Sequence, residues 1–306
     1  MGWLPQDKGT LKGAQKDIWL CADDFAQSEQ ISMAILSLAN QQRLNAISCL
    51  VNMSFWPEAH VDLARVKSTH FIGLHLNLTF GQPLSALWHK HYGSEFMGLL
   101  PLLKLAYSRR LDQAVVAAEI QAQIDMFTQD MHIYPDFIDG HQHIQQLPVI
   151  RDVLLRTYQR HYLRVHGLKG ERIDSDSPQA CFLRKTYNNW RDWGSMAGFP
   201  KSQALAILGG MKWDRMIAKA NIPRNSSFAG VYRFQAAKHY RTYFQQFLSR
   251  ISAGGLIMCH PGYPSEASQD PLYPYRHYEL EYFMSSDFLQ DMQDNAAELI
   301  HKHEQG

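Results

Sequence analysis

The chain has 306 residues, 45% hydrophobic and 19% charged, with 30 Lys and Arg against 29 Asp and Glu for a net charge of +1. That is enough apolar material for a large core and too little charge for disorder, leaving either two domains of about 150 residues each or one α/β barrel. A near-neutral chain has no broad basic field to hold nucleic acid or an anionic membrane, so small neutral substrates are the expected partners.

Met1 to Lys16 is mixed polar, without the apolar stretch of a signal peptide, and no run of eighteen apolar residues follows. The expectation is a cytoplasmic protein with no membrane insertion. The first short apolar run, Ile18 to Ala22, reads as a strand, and Ser28 then caps a helix over Glu29 to Asn40. The alternation repeats with strand Ala46 to Val51 and a helix near Glu58 to Lys67, then with strand Phe71 to Leu78. Further strands are expected at Phe137 to Asp139, Tyr162 to Val165, Ser227 to Val231 and Gly255 to Cys259. Helical spacing marks Leu111 to Gln129, Pro148 to Gln159, Ser202 to Ala220, Ala236 to Ser252 and Tyr278 to Leu289.

About seven βα repeats with right-handed crossovers predict a parallel sheet, and their number favours one barrel domain spanning residues 1–306. Two stretches interrupt the repeat, 81–110 and 166–200, and segments of that kind often build lids or specificity loops. The apolar run Met97 to Tyr107 in the first reads foremost as a core-packing helix. Cys21, Cys49, Cys181 and Cys259 lack CxxC spacing, and three lie in apolar runs, so they read as structural thiols.

Chemistry gathers where the apolar runs end. The first closes in Ala22-Asp23-Asp24-Phe25, the third contains Gly73-Leu74-His75-Leu76-Asn77, the fourth leads into Asp139-Gly140-His141-Gln142-His143, and the last closes in Cys259-His260-Pro261-Gly262-Tyr263. In a parallel barrel the carboxyl ends of the strands converge on one mouth. Burying that many ionisable groups together costs several kcal/mol unless a metal or mutual pairing offsets it. An Asp and two His suit a divalent cation with open positions, while an adjacent Asp faces bound water as general base and His260 serves as general acid.

In this order, ADDFAQS, GLHLNLT, DGHQHIQQLP and MCHPGY resemble the YdjC-like carbohydrate deacetylases, with chitooligosaccharide and hopanoid-associated deacetylases among them, over Ile18 to about Leu280. The resemblance implies a distorted β/α barrel related to the polysaccharide deacetylases and metal-dependent removal of N-acetyl groups from amino sugars. Position by position it implies Asp24, His75 and His141 as metal ligands, Asp23 as catalytic base and His260 as the acid-side histidine. His143 would bind substrate or support the ligands from behind. The family's usual DDFG is DDFA here, and Ala26 tolerates a left-handed turn less well than glycine.

Arg164 is a candidate for holding Asp23 ionised, with an interstrand salt bridge as its alternative, and Asp139 either accepts a hydrogen bond from a ligand or ends its strand. Tyr263, Trp56 and Trp88 could stack on a sugar, although core packing suits any one of them better. One divalent ion is expected: imidazole ligands argue for zinc, and the resemblance implies magnesium. The expected partner is an N-acetylated sugar, and the oligomeric state stays open with a homodimer as one option. Glycoside hydrolases need two carboxylates about 5 to 9.5 Å apart, which adjacent Asp23 and Asp24 fit poorly. Amidohydrolase barrels place HxH after the first strand, whereas here it follows the fourth. A non-catalytic sugar-binding module would not need both a base and an acid beside its metal.

Overall fold

The computed structural model describes residues 15–165, 181–187, 206–265 and 270–302. Its centre is the ten-residue strand β1 (Lys16–Phe25). With β2 (Ala46–Cys49), β3 (Phe71–Leu76), β4 (Phe137–Gly140), β5 (Phe182–Leu183), β6 (Phe228–Ala229) and β7 (Gly255–Cys259) it forms a sheet in the order β5-β4-β3-β2-β1-β7-β6. All of these pairings are parallel, and β8 (Ala297–Leu299) adds to the first residues of β1. The curled parallel sheet expected from the βα repeat is therefore present, with β8 as an element that three residues are too few to announce.

The connecting helices are α1 (Glu29–Asn40), α2 (Trp56–Leu63), α3 (Ala86–Tyr92), α4 (Leu99–Tyr107), α5 (Gln113–Met131) and α6 (Ile150–Val165). The rest of the chain adds α7 (Met211–Lys219), α8 (Tyr240–Arg250), α9 (Tyr273–Met284) and α10 (Ser286–Asp294). Helix α1 starts where Ser28 Oγ accepts from Ile31 N at 3.3 Å, and it turns Ile31, Ala34, Ile35 and Leu38 onto the sheet. The strand expected at Tyr162 to Val165 is instead the end of α6, because helical spacing runs on through Val153, Leu154 and Tyr158 and no glycine or proline intervenes before Gly167. The next strand falls at Phe182–Leu183. A helix expected over Tyr278 to Leu289 is two, parted at Ser285.

In the 81–110 stretch, Trp88 is fully buried against Tyr92 and Phe96, and α4 buries Leu102 and Ala106 while Leu100 and Tyr107 face outward. The core contribution of this segment is confined to a few apolar side chains, and most of its residues face outward. Most of the 166–200 stretch lies outside the described residues, as do residues 1–14. No helix among the described residues is long and apolar enough to cross a membrane.

Side-chain alternation sorts each strand into two environments. On β1, Ile18, Leu20 and Ala22 join the core between sheet and helices, while Trp19 and Cys21 face the barrel interior. The interior is filled by Cys21, Ala46, Phe137, Phe182, Phe228, Leu256 and Met258. Phe137 stacks on Phe182 at 5.0 Å, and Trp19 meets Phe71 and Phe182 at 4.4 and 4.8 Å. Each such ring contributes about 1.5–3 kcal/mol by leaving water. Between β5 and β6 no ladder forms among the described residues. Leu183 N donates to Pro223 O at 2.9 Å, and the Asn225 amide accepts from Lys185 N at 2.8 Å and donates to Lys185 O at 3.0 Å.

Phe137 can lie flat in this interior only because its neighbour on β3 is Gly73: a Cβ there would stand 2.3 Å from the Phe137 ring. Gly73→Ala should lower unfolding free energy by about 1–3 kcal/mol through this overlap, and Phe137→Leu in the same chain should recover part of the loss. Urea denaturation of the two single variants and the double variant checks the expectation, and additive losses would mean that the two positions do not meet.

Candidate active site at the carboxyl ends of the strands

Neighbouring residues of a regular strand face opposite ways, so Asp23 and Asp24 could not both reach the mouth without a break in β1. The break is present: the pairing of β1 with β2 shifts register between Ala22 and Phe25, and Asp24 and Ala26 adopt left-handed φ of 68° and 72°. Asp23 keeps the inward parity of Trp19 and Cys21, while the turn at Asp24 swings the second carboxylate to the same end. Ala26 holds this conformation without a glycine, at a cost on the order of 1–2 kcal/mol. Its N–H is tied to Ser32 Oγ at 3.0 Å. The sequence departure thus leaves the turn intact.

Below the mouth, inward-facing residues on or just after β2, β3, β4 and β5 form one buried polar layer. Ser48 lies on β2, His75 on β3 and Asp139 on β4. Arg184 follows β5, and its N–H continues the ladder to Ile138 O at 3.1 Å. All four are essentially inaccessible to water. Ser48 Oγ donates to Asp139 Oδ1 at 2.6 Å, and His75 Nδ1 lies 2.6 Å from the same oxygen. With Nδ1 engaged there, His75 Nε2 is directed at Asp24 Oδ1, 3.4 Å away. Arg184 bridges the layer: Nη1 and Nη2 donate to Asp23 Oδ2 and Oδ1 at 2.7 Å each, and Nη2 forms an ion pair with Asp139 Oδ2 at 2.5 Å. The guanidinium expected from Arg164 is therefore supplied by Arg184, and Arg164 lies on α6.

His141 follows β4 and brings Nδ1 to 2.9 Å from Asp24 Oδ1. The next two residues, Gln142 and His143, are both left-handed, which turns the His143 ring edge-on to Phe228 at 5.8 Å, with no hydrogen bond to Nδ1 among the described residues. Burial, helped by the charge of Arg184, pushes His143 down to about 3, so its imidazole stays neutral. His260 continues the inward parity of Leu256 and Met258 at the end of β7. Arg276 of α9 donates to Asp24 Oδ2 at 2.6 Å and also pairs with Asp270. Tyr263 turns away to α1, where its hydroxyl donates to Ser37 Oγ at 3.2 Å. Trp56 and Trp88 are core residues.

The donor set suits a divalent cation. One ligand atom each from Asp24, His75 and His141 lie within 4.8 Å of one another. With neutral imidazoles, the four aspartates 23, 24, 139 and 270 around the two arginines 184 and 276 leave an excess of two negative charges, which a divalent ion would balance. Asp24 is ready to bind it: burial opposes ionisation, but Arg276 and His141 overcome this and hold its carboxyl well below the ordinary range. The second cluster, Cys21, Asp23 and Asp139, is different, because Arg184 already bridges all three. Of the residues that matter here, Ser48, Arg184 and Arg276 carry no recognisable motif. Arg184 alone had a signal, a charged residue closing the apolar run Cys181-Phe182-Leu183.

A parallel, curled α/β sheet with a carboxylate and histidine centre at its strand ends defines a class of barrel hydrolase. The chain belongs to the YdjC-like protein family, whose sequence profile matches residues 17–294. A carbohydrate deacetylase of Danio rerio is 25% identical over 267 residues, covering 81% of this chain and 82% of that protein. The Homo sapiens carbohydrate deacetylase is 26% identical over 263 residues, covering 80% and 74%. Among solved structures, an Enterococcus faecalis V583 protein provisionally described as a cellobiose-phosphate cleavage protein superposes with TM-score 0.63 at 15% identity, over 94% of this chain and 98% of that one. This likeness establishes the shared fold.

Burial alone would lower the His75 pKa, but Asp139 and Asp23 outweigh it and hold it up at about 10 when no cation is bound. The folded chain then binds this proton more tightly than the unfolded chain, whose histidine titrates near 6.5. The stabilisation is complete below pH 6.5 and disappears as pH rises toward 10. Urea denaturation of chelator-treated protein should show stability falling by a few kcal/mol over that window, and saturating cation should flatten the profile by replacing the proton. A flat profile without cation would mean that folded His75 is neutral.

Proposed function

We propose that this chain is a metal-dependent carbohydrate N-deacetylase that removes the acetyl group from an acetylated amino sugar and releases acetate. The observation that carries the reading is the meeting of Asp24, His75 and His141 beside an arginine-held Asp23 at the carboxyl ends of the strands. The deacetylase names of the family relatives support it.

Asp24, His75 and His141 would hold one divalent ion, zinc by the chemistry of the imidazoles or magnesium by family resemblance. Bound there, it would supply Lewis acidity toward the acetamide carbonyl and toward water. Asp23 takes the proton of the attacking water. Burial opposes its ionisation, but Arg184, His75 and His260 bring its pKa to about 2, so it is ionised at any working pH and weak as a base toward ordinary water. Arg184 fixes the plane of that carboxylate by gripping both oxygens. As the carbon–nitrogen bond breaks, His260 gives its proton to the departing amine, leaving acetate and the free amino sugar. His143, neutral and with no partner at Nδ1 among the described residues, offers a hydrogen bond to the sugar.

The four cysteines are all free thiols, which supports a cytoplasmic setting. The direct test is acetate release from a panel of N-acetylated sugars by metal-stripped protein restored with zinc or magnesium, and no release with any ion would overturn the reading. Asp23→Asn should leave metal affinity near that of the unmodified chain and cut acetate release by about two to four orders of magnitude. Equal loss of metal and turnover would make Asp23 a ligand instead.

A further inference from the structure

A group that delivers a proton to a leaving atom needs a fixed direction. Among the described residues no side chain holds the Nδ1 of His260. What is held is its backbone. The His260 N–H donates to Glu279 Oε2 at 2.6 Å, and its carbonyl lies 3.4 Å from Arg276 Nη1. The ring meets Phe234 edge-on at 5.5 Å. Arg276 and Glu279 are three residues apart on α9 and therefore share one face of the helix. That face grips the His260 peptide at both its N–H and its carbonyl.

Glu279 is an unusual residue to bury, with 1% of its surface exposed. Its second oxygen, Oε1, accepts from the Tyr232 hydroxyl at 2.6 Å. Both of these partners donate, so the position calls for a side chain with two acceptors, which a carboxylate provides. The chain after His260 is shaped to the same helix: a Cβ on Gly262 would lie 3.0 Å from Arg276 Cδ, so glycine lets the segment pass beneath that arginine.

We propose that Glu279, anchored by Tyr232, is a positioning residue for His260, and that α9 ties this proton donor to Asp24 through Arg276. The inference rests on the deacetylase reading and extends it to a residue outside every motif of the sequence. Glu279 acts through the peptide of His260, keeping the inward direction of β7 to its last residue. The same helix face grips Asp24 Oδ2, so the proposed cation ligand and the acid side of the site keep a fixed separation.

The test compares two substrates with the full chain and a restored metal. N,N′-diacetylchitobiose has an amine leaving group that must be protonated, whereas 4-nitrophenyl acetate releases a phenolate that need not be. Glu279→Ala should lower kcat on the sugar about 10- to 100-fold with KM changed less than about twofold, and keep ester turnover within about threefold. Glu279→Gln should recover most of the sugar activity, because its amide oxygen accepts from His260 N–H while its NH2 donates to the Tyr232 oxygen. Equal losses on both substrates, or unchanged sugar turnover, overturn the proposal. If Glu279→Ala does not fold, Tyr232→Phe decides by the same comparison: selective loss on the sugar supports the role, and equal or absent loss overturns it. Should the unmodified protein cleave the ester and none of the N-acetylated sugars, the deacetylase reading fails and the proposal falls with it, an outcome visible before any variant is made.

Discussion

A guanidinium shut away from water survives in a protein only where carboxylates surround it, and Arg184 meets this condition between Asp23 and Asp139. Asp23 is thereby fixed in plane and kept ionised. Asp139, shared with Ser48 and His75, sets which nitrogen of His75 is available to Asp24. One side chain therefore organises both the proton-accepting carboxylate and the face that suits a cation. Removal of Arg184 would leave the buried carboxylates of Asp23 and Asp139 without their shared counterion, so the layer depends on it.

The fold was largely legible because burial writes itself into sequence as periodicity. Strands β1, β2, β3, β4 and β7 are apolar runs with polar ends, and those ends are where Asp23, Asp24, His75, Asp139, His141 and His260 were found. The arginines were a different matter. Arg184 follows a strand of two residues whose only trace is the three-residue run Cys181-Phe182-Leu183, and the sequence instead offered Arg164 from a helix whose last turn has a strand-like composition. Arg276 and Glu279 come from a helix wrapped around the mouth, where charged residues look like any solvated face. Long-range pairing with Asp24 and with the His260 peptide gives them their meaning, and pairing across more than 250 residues has no local signature.

Backbone conformation tells a complementary story. Asp24, Ala26, Gln142 and His143 are all left-handed, and all lie within three residues of a proposed ligand. Two of the strand ends thus depart from regular geometry where the chemistry is, and these departures bring Asp24 and His141 onto one point. The cost is met by the surrounding hydrogen bonds, Ser32 to Ala26 N among them.

The break between β5 and β6 has a dynamic consequence. These are the two shortest strands of the sheet path, joined across the gap by Pro223 and Asn225 in place of a ladder, and Arg184 stands at the end of one of them. In a sheet, segments with few backbone partners open at lower free energy than the centre, which predicts that this edge unfolds locally ahead of the sheet centre. Amide protons along the seam are expected to exchange sooner than those of β1. Opening of the seam would part Arg184 from Asp23 with the β1 core still folded, which would couple catalytic competence to the stability of this edge.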